Sequence, residues 1–297
     1  MGITHAGELA AMVTAVSWAV SATLFDQISK KVGTFAVNYA KVCLGLIFIS
    51  IYLFISGNTV IPSSIPADGW MWLSISGLVG FIIGDLFLFQ AFIMIGARIS
   101  MVVYALAPSL TAVAGYFIFG ESLPPLAIAG MAMTLSGIIL VVTSRPSNNS
   151  SPVKGRAIGV LYAFLATVCQ AAGYLLSKQG MVFTDPVRAT QIRLIASVAG
   201  FTVLVFFMQN SKHVLSAIKD RYVLPRLASA SFFGPFLGVT LSMYAIHNAS
   251  AGIVSTIISM TPVLLIVPAV FILKERVTLL EIAGALLAVA GSALFFF

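Results

Sequence analysis

Charge is what this chain most lacks. Of its 297 residues, Asp and Glu number 9 and Lys and Arg 16, so that only 8% are charged. An average soluble domain carries roughly 25%. A chain this size with so few polar groups cannot cover itself in water, which excludes a soluble globular fold and makes lipid its solvent. Histidine is also scarce: His5, His213 and His247 are far apart in sequence. No His-Glu-x-x-His pair, Gly-x-Ser-x-Gly turn or acidic cluster is present, so the common sequence signatures of metal and nucleophilic hydrolases are missing. The chain therefore reads as a non-enzyme, with no cofactor and no metal implied. Cysteine is limited to Cys43 and Cys169, both inside apolar runs, which fits two buried thiols rather than a disulfide. The net charge of +7 comes without a basic stripe or interleaved aromatics, so it is no nucleic-acid footprint. The cations fall singly at the ends of apolar runs, where anionic lipid headgroups and membrane topology account for them. No basic region precedes the first apolar stretch, which is too long for a signal-peptide core and reads as a retained helix.

What is present is hydrophobic: 60% of residues are apolar and the mean hydropathy is +1.06. A spanning helix needs about 20 mostly apolar residues. Ten segments qualify, at 9–28, 34–56, 70–95, 99–119, 125–144, 156–177, 187–208, 225–247, 251–272 and 278–297. The turns between them carry breakers such as Gly57-Asn58 and Pro62 to Pro66. The one polar, flexible stretch near mid-chain is Arg145 to Gly155, which divides the chain into halves at 1–144 and 156–297 with a linker at 145–155.

The halves repeat. Gly80 to Gly137 matches Gly234 to Gly291 at a constant offset of 154, without a gap and with 16 identities in 58 positions. The matches include Gly80/Gly234, Gly84/Gly238, Pro108/Pro262, Glu121/Glu275 and the runs Ile128-Ala129-Gly130 and Ile282-Ala283-Gly284. Earlier segments repeat more weakly: Lys30 aligns with Lys178 at an offset of 148, and Lys41 with Arg193 at 152. Five segments per half means that the second half enters the membrane from the opposite side. The predicted fold is all-α and integral to the membrane, with ten transmembrane helices as two inverted five-helix repeats. Halves related in this way supply the geometry for alternating access.

A Gly-x-x-x-Gly third segment, a proline within the fourth, a glutamate at its end and an apolar fifth, twice in register, resemble the drug/metabolite transporter superfamily, closest in type to its ten-helix EamA-like branch. Ala107-Pro108 to Gly120-Glu121 and Thr261-Pro262 to Lys274-Glu275 carry most of the likeness. The resemblance implies a multi-pass protein of the cytoplasmic (inner) membrane and a secondary transporter of small metabolites, exporting amino acids or related compounds. It leaves the cargo open. A passive channel or a lipid or drug flippase of the same fold is the alternative. The implied partners are a small-molecule substrate and membrane lipids, the protein acting as a monomer or weak homo-oligomer without nucleic acid. Loops after odd-numbered segments hold twelve of the sixteen Lys and Arg, which places those loops in the cytoplasm and both termini outside. The resemblance favours cytoplasmic termini, so the orientation stays open.

Asp85, inside the third segment, is the sharpest candidate for chemistry, since a charge there costs about 2.5–3.5 kcal/mol on insertion scales. It reads either as a proton carrier or substrate counter-ion, or as a structural partner for Lys41. Its equivalent in the second half is Val239, and the counterparts of Thr240 and Tyr244 are Leu86 and Gln90, a register that puts Asp85 at the edge of a cavity. Large or polar residues at helical spacing sketch that cavity: Trp18, Ser21 and Phe25 in the first segment, Gln170 and Tyr174 in the sixth, Thr240 and Tyr244 in the eighth, Ser255 and Ser259 in the ninth. Tyr104 lies one turn before Pro108. The two prolines, Pro108 and Pro262, each remove a backbone donor and bend their helices. Lys41 and Arg193 are assigned to snorkelling near helix ends, and Glu121 and Glu275 to local donors at the membrane edge.

Overall fold

The computed structural model of the chain describes residues 6–62, 65–119, 125–144, 153–208, 219–248, 257–272 and 277–294. Every regular element among them is helical, because lipid offers an exposed backbone group no hydrogen-bond partner. The first half contains α1 (Ala6–Val32), α2 (Thr34–Ile55), α3 (Ala67–Gly77), α4 (Asp85–Tyr104), α5 (Ala107–Phe119) and α6 (Pro125–Thr143). The second contains α7 (Val153–Gly180), α8 (Pro186–Met208), α9 (Val223–Ser231), α10 (Val239–Asn248), α11 (Thr261–Leu264), α12 (Ile266–Phe271) and α13 (Leu279–Ala293). Two π-helical segments at the same place in each half, Leu78–Gly84 and Phe232–Gly238, join α3 to α4 and α9 to α10. Helix α7 begins inside the expected linker, most of which lies outside the described residues.

Among the described residues six helical stretches are long and apolar enough to cross a membrane: Ala6–Val32, Thr34–Ile55, Ala67–Tyr104, Gly155–Gly180, Pro186–Phe207 and Val223–Ala245. Ile128–Thr143, Thr261–Phe271 and Leu279–Ala293 are shorter apolar helices. Large apolar side chains such as Phe54, Phe117, Phe206 and Phe271 stand exposed, which suits a lipid-facing surface and no other.

The expected third and fourth segments are interrupted differently from the sequence reading. Helix continues past residue 95 to Tyr104 but bends at Gly96, whose φ of 79° is open to glycine at little cost. The Ala97 amide, freed by the bend, donates to the Asp26 carboxylate at 3.1 Å, and Arg98 pairs with Glu281 at 3.0 Å. Glu281 also completes a capping box with Thr278 at the start of α13. Two buried carboxylates thus hold the bend from opposite halves. The next breaks fall at Ala105–Leu106 and Ser259–Met260, a few residues before Pro108 and Pro262, which lack the amide hydrogen a continuous helix would need.

The packing of the halves is exchange-related. Helix α1 runs along α9 and α10: Ser21 donates to the Ala230 carbonyl at 2.9 Å, and Trp18 lies against Gly238. Helix α7 runs along α3 and α4 in the corresponding way, with Ser76 donating to the Gly173 carbonyl at 2.7 Å and Cys169 against Gly84. Helices α2 and α8 pack on each other, and α6 packs on α13 most extensively of all. Gly137 meets Gly284 and Gly291 meets Gly130, while the Thr134 hydroxyl reaches the carbonyl of Ala288 (its own repeat equivalent) at 3.3 Å. Contacts that survive exchange of the two copies, between helices running in opposite directions, centre on that pair.

The ends of the bundle follow suit. Lys31, at the end of α1, pairs with Asp220 ahead of α9 at 2.6 Å. That hydrogen bond, with another from the Tyr222 amide, holds the Asp220 carboxyl below the usual carboxylate range. At the other end of α2, Arg188 and Gln191 at the start of α8 reach Thr59 (3.1 Å) and the Val60 carbonyl (2.6 Å). The last turns of α1 and α7 therefore lie at opposite ends of the bundle.

A Cβ at position 137 would fall 2.5 Å from the Ala288 nitrogen and the Gly284 carbonyl oxygen, so the α6–α13 contact has no room for a side chain. Gly137→Leu is expected to destabilise the protein by about 1–3 kcal/mol through overpacking, whereas Ile139→Val on the exposed face of α6 leaves stability unchanged. Unfolding in detergent, followed by intrinsic fluorescence, measures both.

Candidate functional site

A cavity of about 100 Å³ lies between the halves, lined by α1, α2, α4, α7, α8, α10 and the two π-helical segments. From the first half come Trp18, Ser21, Phe25, Lys41 and Asp85; from the second come Gln170, Tyr174, Arg193 and Ser242. Tyr104, at the end of α4, closes one side. Ligand pockets for drug-sized molecules are commonly about 300–1,000 Å³, so this one fits a compact occupant.

Its polar centre is an ion pair. Lys41, 3% exposed, is hydrogen-bonded through Nζ to an Asp85 carboxylate oxygen. Three aromatic rings surround the ammonium, with centroids at 4.8 Å (Phe89), 5.7 Å (Phe81) and 5.8 Å (Phe25). Phe25 and Phe89 are themselves in contact at 4.7 Å between centroids. Ring faces carry negative potential, so this cage adds to the stabilisation of the cation where water is scarce.

Arg193 enters from the opposite half. Its guanidinium lies 4.6 Å from the centroid of Phe81, a ring also near Lys41, and the residue is 3% exposed. Glycine makes the space: a Cβ on Gly77 would collide with the Arg193 carbonyl at 2.3 Å, and one on Gly80 would sit 3.3 Å from a guanidinium nitrogen. Among the described residues Arg193 makes no ion pair, and its Nε has no hydrogen-bond partner.

Of the residues singled out from sequence, Trp18, Ser21, Phe25, Asp85, Tyr104, Gln170 and Tyr174 line this cavity. Gln90, Thr240, Tyr244 and Ser259 do not: Tyr244 is 46% exposed, and Ser259 is buried elsewhere. Ser255 lies outside the described residues, as do Glu121, Glu275 and the side chain of His247. Asp85, placed at the cavity edge by sequence register, instead carries its central ion pair. Asp85 and Gln90 share one helix and lie five residues apart, about 140° round its axis, so when Asp85 turns inward Gln90 turns away; the same separation divides Val239, which lines the cavity, from Tyr244.

Lys41 and Arg193 correct the reading further. Each sits seven residues into its helix, roughly 10 Å from the end at 1.5 Å per residue, and turns inward rather than snorkelling. Their signal was available: two cations at matched positions within apolar runs. Proximity to a helix end accounts for such a cation equally well in sequence. Phe81, Phe89 and Ser242 were also missed, since nothing separates them in sequence from ordinary apolar or small helix residues.

Comparison with known proteins agrees with the duplicated architecture. The profile of the EamA-like transporter family matches residues 5–143 and again 157–297. The uncharacterized inner membrane transporter YhbE of Escherichia coli K12 is 25% identical over 140 residues, covering 47% of this chain and 43% of that one. A chloroplastic WAT1-related protein of Arabidopsis thaliana is 22% identical over 228 residues, 76% of this chain and 54% of its own. The matches thus span about half the length of these curated relatives. A crystal structure sharing 19% identity superimposes with a TM-score of 0.66 over 97% of this chain and 95% of the other, a likeness of fold alone.

Breaking a buried ion pair from one side leaves an uncompensated charge, which costs about 3–5 kcal/mol. Lys41→Met and Asp85→Leu are each expected to lose stability on that scale. The double variant should lose less than the sum of the two by about 1–3 kcal/mol. Unfolding midpoints of the four-member cycle in detergent provide the check, and simple additivity would show that the pair is not coupled.

Proposed function

The chain belongs to the EamA-like transporter family, and from that premise we propose that it is a secondary transporter of the inner membrane, exporting amino acids or related small metabolites by alternating access. The observation that carries the reading is the partly charged cavity between two halves whose contacts are exchange-related. A transporter built from inverted repeats keeps its binding site at the repeat interface, near mid-membrane, and opens it to either side as the halves swap conformations. The antiparallel pairing of α6 with α13, and of α1 and α7 with the third helix of the opposite half, supports inverted halves. A cavity of about 100 Å³ lined by Trp18, Tyr104, Gln170 and Tyr174 supports a metabolite of amino-acid size over a bulky drug or lipid.

Coupling, in this reading, runs through Asp85. Its carboxylate can take a proton only when the pair with Lys41 opens. A cycle in which substrate passage loosens α2 from α4 would expose it to one side and then the other. Tyr104, Cys169 and Arg193 are the other titratable or charged groups that interact with this carboxylate.

Purified protein in liposomes preloaded with unlabelled amino acid should accumulate the labelled compound by counterflow, saturably; linear, non-saturable flux would identify a pore. Imposing a pH gradient should change the wild-type rate and leave Asp85→Asn indifferent. A gradient response retained in that variant removes Asp85 as the carrier. For the inversion, single cysteines at Lys30 and Lys178 should react with an impermeant maleimide from opposite sides of sealed vesicles, and labelling from one side would overturn it.

A further inference from the structure

The repeat places Lys41 and Arg193 at matched positions, but it supplies a carboxylate to only one of them. Asp85 in the first half pairs with Lys41; its equivalent at offset 154 is Val239, which also lines the cavity. The second half has kept the cation and lacks the anion. The charged groups lining the cavity are therefore Lys41, Asp85 and Arg193, one carboxylate against two cations.

We propose that Arg193 is the seat of a substrate carboxylate: the transported compound is recognised by its anionic end, which takes the place that an acid at position 239 would occupy. This inference rests on the transporter reading and narrows it. A guanidinium presents paired N–H donors that match a carboxylate in two parallel bonds, and this one is buried, aimed into the cavity and without an ion pair among the described residues. The Phe81 ring centroid lies 4.6 Å from its guanidinium carbon, an aromatic contact that uses none of its N–H donors in an ion pair, and its Nε has no hydrogen-bond partner among the described residues. An unpaired cation in so apolar a setting is costly, and an incoming anion removes that cost. An ammonium has no comparable seat, because Asp85 is already engaged by Lys41. Trp18, Phe25 and Phe89, around the rest of the cavity, suit an apolar substituent on the same molecule. Amines and cationic drugs are excluded as preferred cargo by the same charge count.

Three matched series test this, with methyl, isobutyl and benzyl side chains: the amino acid (alanine, leucine, phenylalanine), the acid without its amine (propanoate, 4-methylpentanoate, 3-phenylpropanoate) and the amine without its carboxylate (ethylamine, isoamylamine, phenethylamine). Each is assayed for thermal stabilisation of the detergent-solubilised full chain and for counterflow in liposomes. In at least one series the two carboxylate-bearing members should bind, and the amine should be weaker by about tenfold or more. Arg193→Gln should lose that preference and Arg193→Lys keep part of it. Because Arg193→Gln alters a buried site, a second variant leaves the cation in place: Val239→Asp should fold as well as wild type and abolish carboxylate binding by occupying the seat. Equal binding of amines, unchanged carboxylate binding in Arg193→Gln or Val239→Asp, or no carboxylate binding at all would overturn the proposal. Counterflow without carboxylate preference would leave the transporter standing and this inference fallen. Arg193-dependent carboxylate binding with no counterflow would do the reverse.

Discussion

The interior of this protein is organised around the difficulty of keeping charge inside a membrane. Lys41, Asp85 and Arg193 lie among helices whose outer faces are apolar, and each would favour water over its present surroundings. The ion pair meets that difficulty for two of them, and the rings of Phe25, Phe81 and Phe89 reinforce it. Glycines at positions 77 and 80 let α8 approach closely enough to bring Arg193 to the same wall.

Around that centre the scaffold is close to symmetric and the site is not. Each half contributes a long first helix, a cation on its second and a π-helical turn in its third, and each cation reaches the same space. Phe81 lies within cation–π distance of both. One half supplies an acid and the other a valine. In the proposed transport cycle the scaffold's symmetry makes two conformations accessible, while the asymmetry of charge makes occupancy by a ligand matter to which one is favoured. The bend at Gly96, fastened by Asp26 from one half and Glu281 from the other, ties the third helix to both.

Much of this was legible in the chain itself. The offset of 154 that aligns Gly80 with Gly234 reappears as paired π-helical turns and as the exchange-related contacts of Gly130, Gly137, Gly284 and Gly291. Trp18, Gln170 and Tyr174 could be picked out because large polar or aromatic side chains in lipid need both room and partners. Gln90 and Tyr244 were misplaced because polarity was taken as the mark of the inward face; each lies five residues, about 140° round its helix, from the residue that lines the cavity. Lys41 and Arg193 were misread because a cation seven residues into a helix is compatible with either an inward or an outward course.

Composition and internal repetition were enough for a helical membrane protein in two related halves, because hydropathy and residue matching are properties of the chain order and survive any packing. Which way each side chain turns was a matter for the packed bundle. Rotation about a helix axis depends on the turn preceding it and on the neighbour that fills the groove, and that neighbour comes from elsewhere in the chain, 44 positions away for Lys41 and Asp85 and 209 for Ser21 and Ala230. The meeting of Lys41 with Asp85, and the arrival of Arg193 in the same cavity without an ion pair of its own among the described residues, exist only once α2, α4 and α8 have closed on one another.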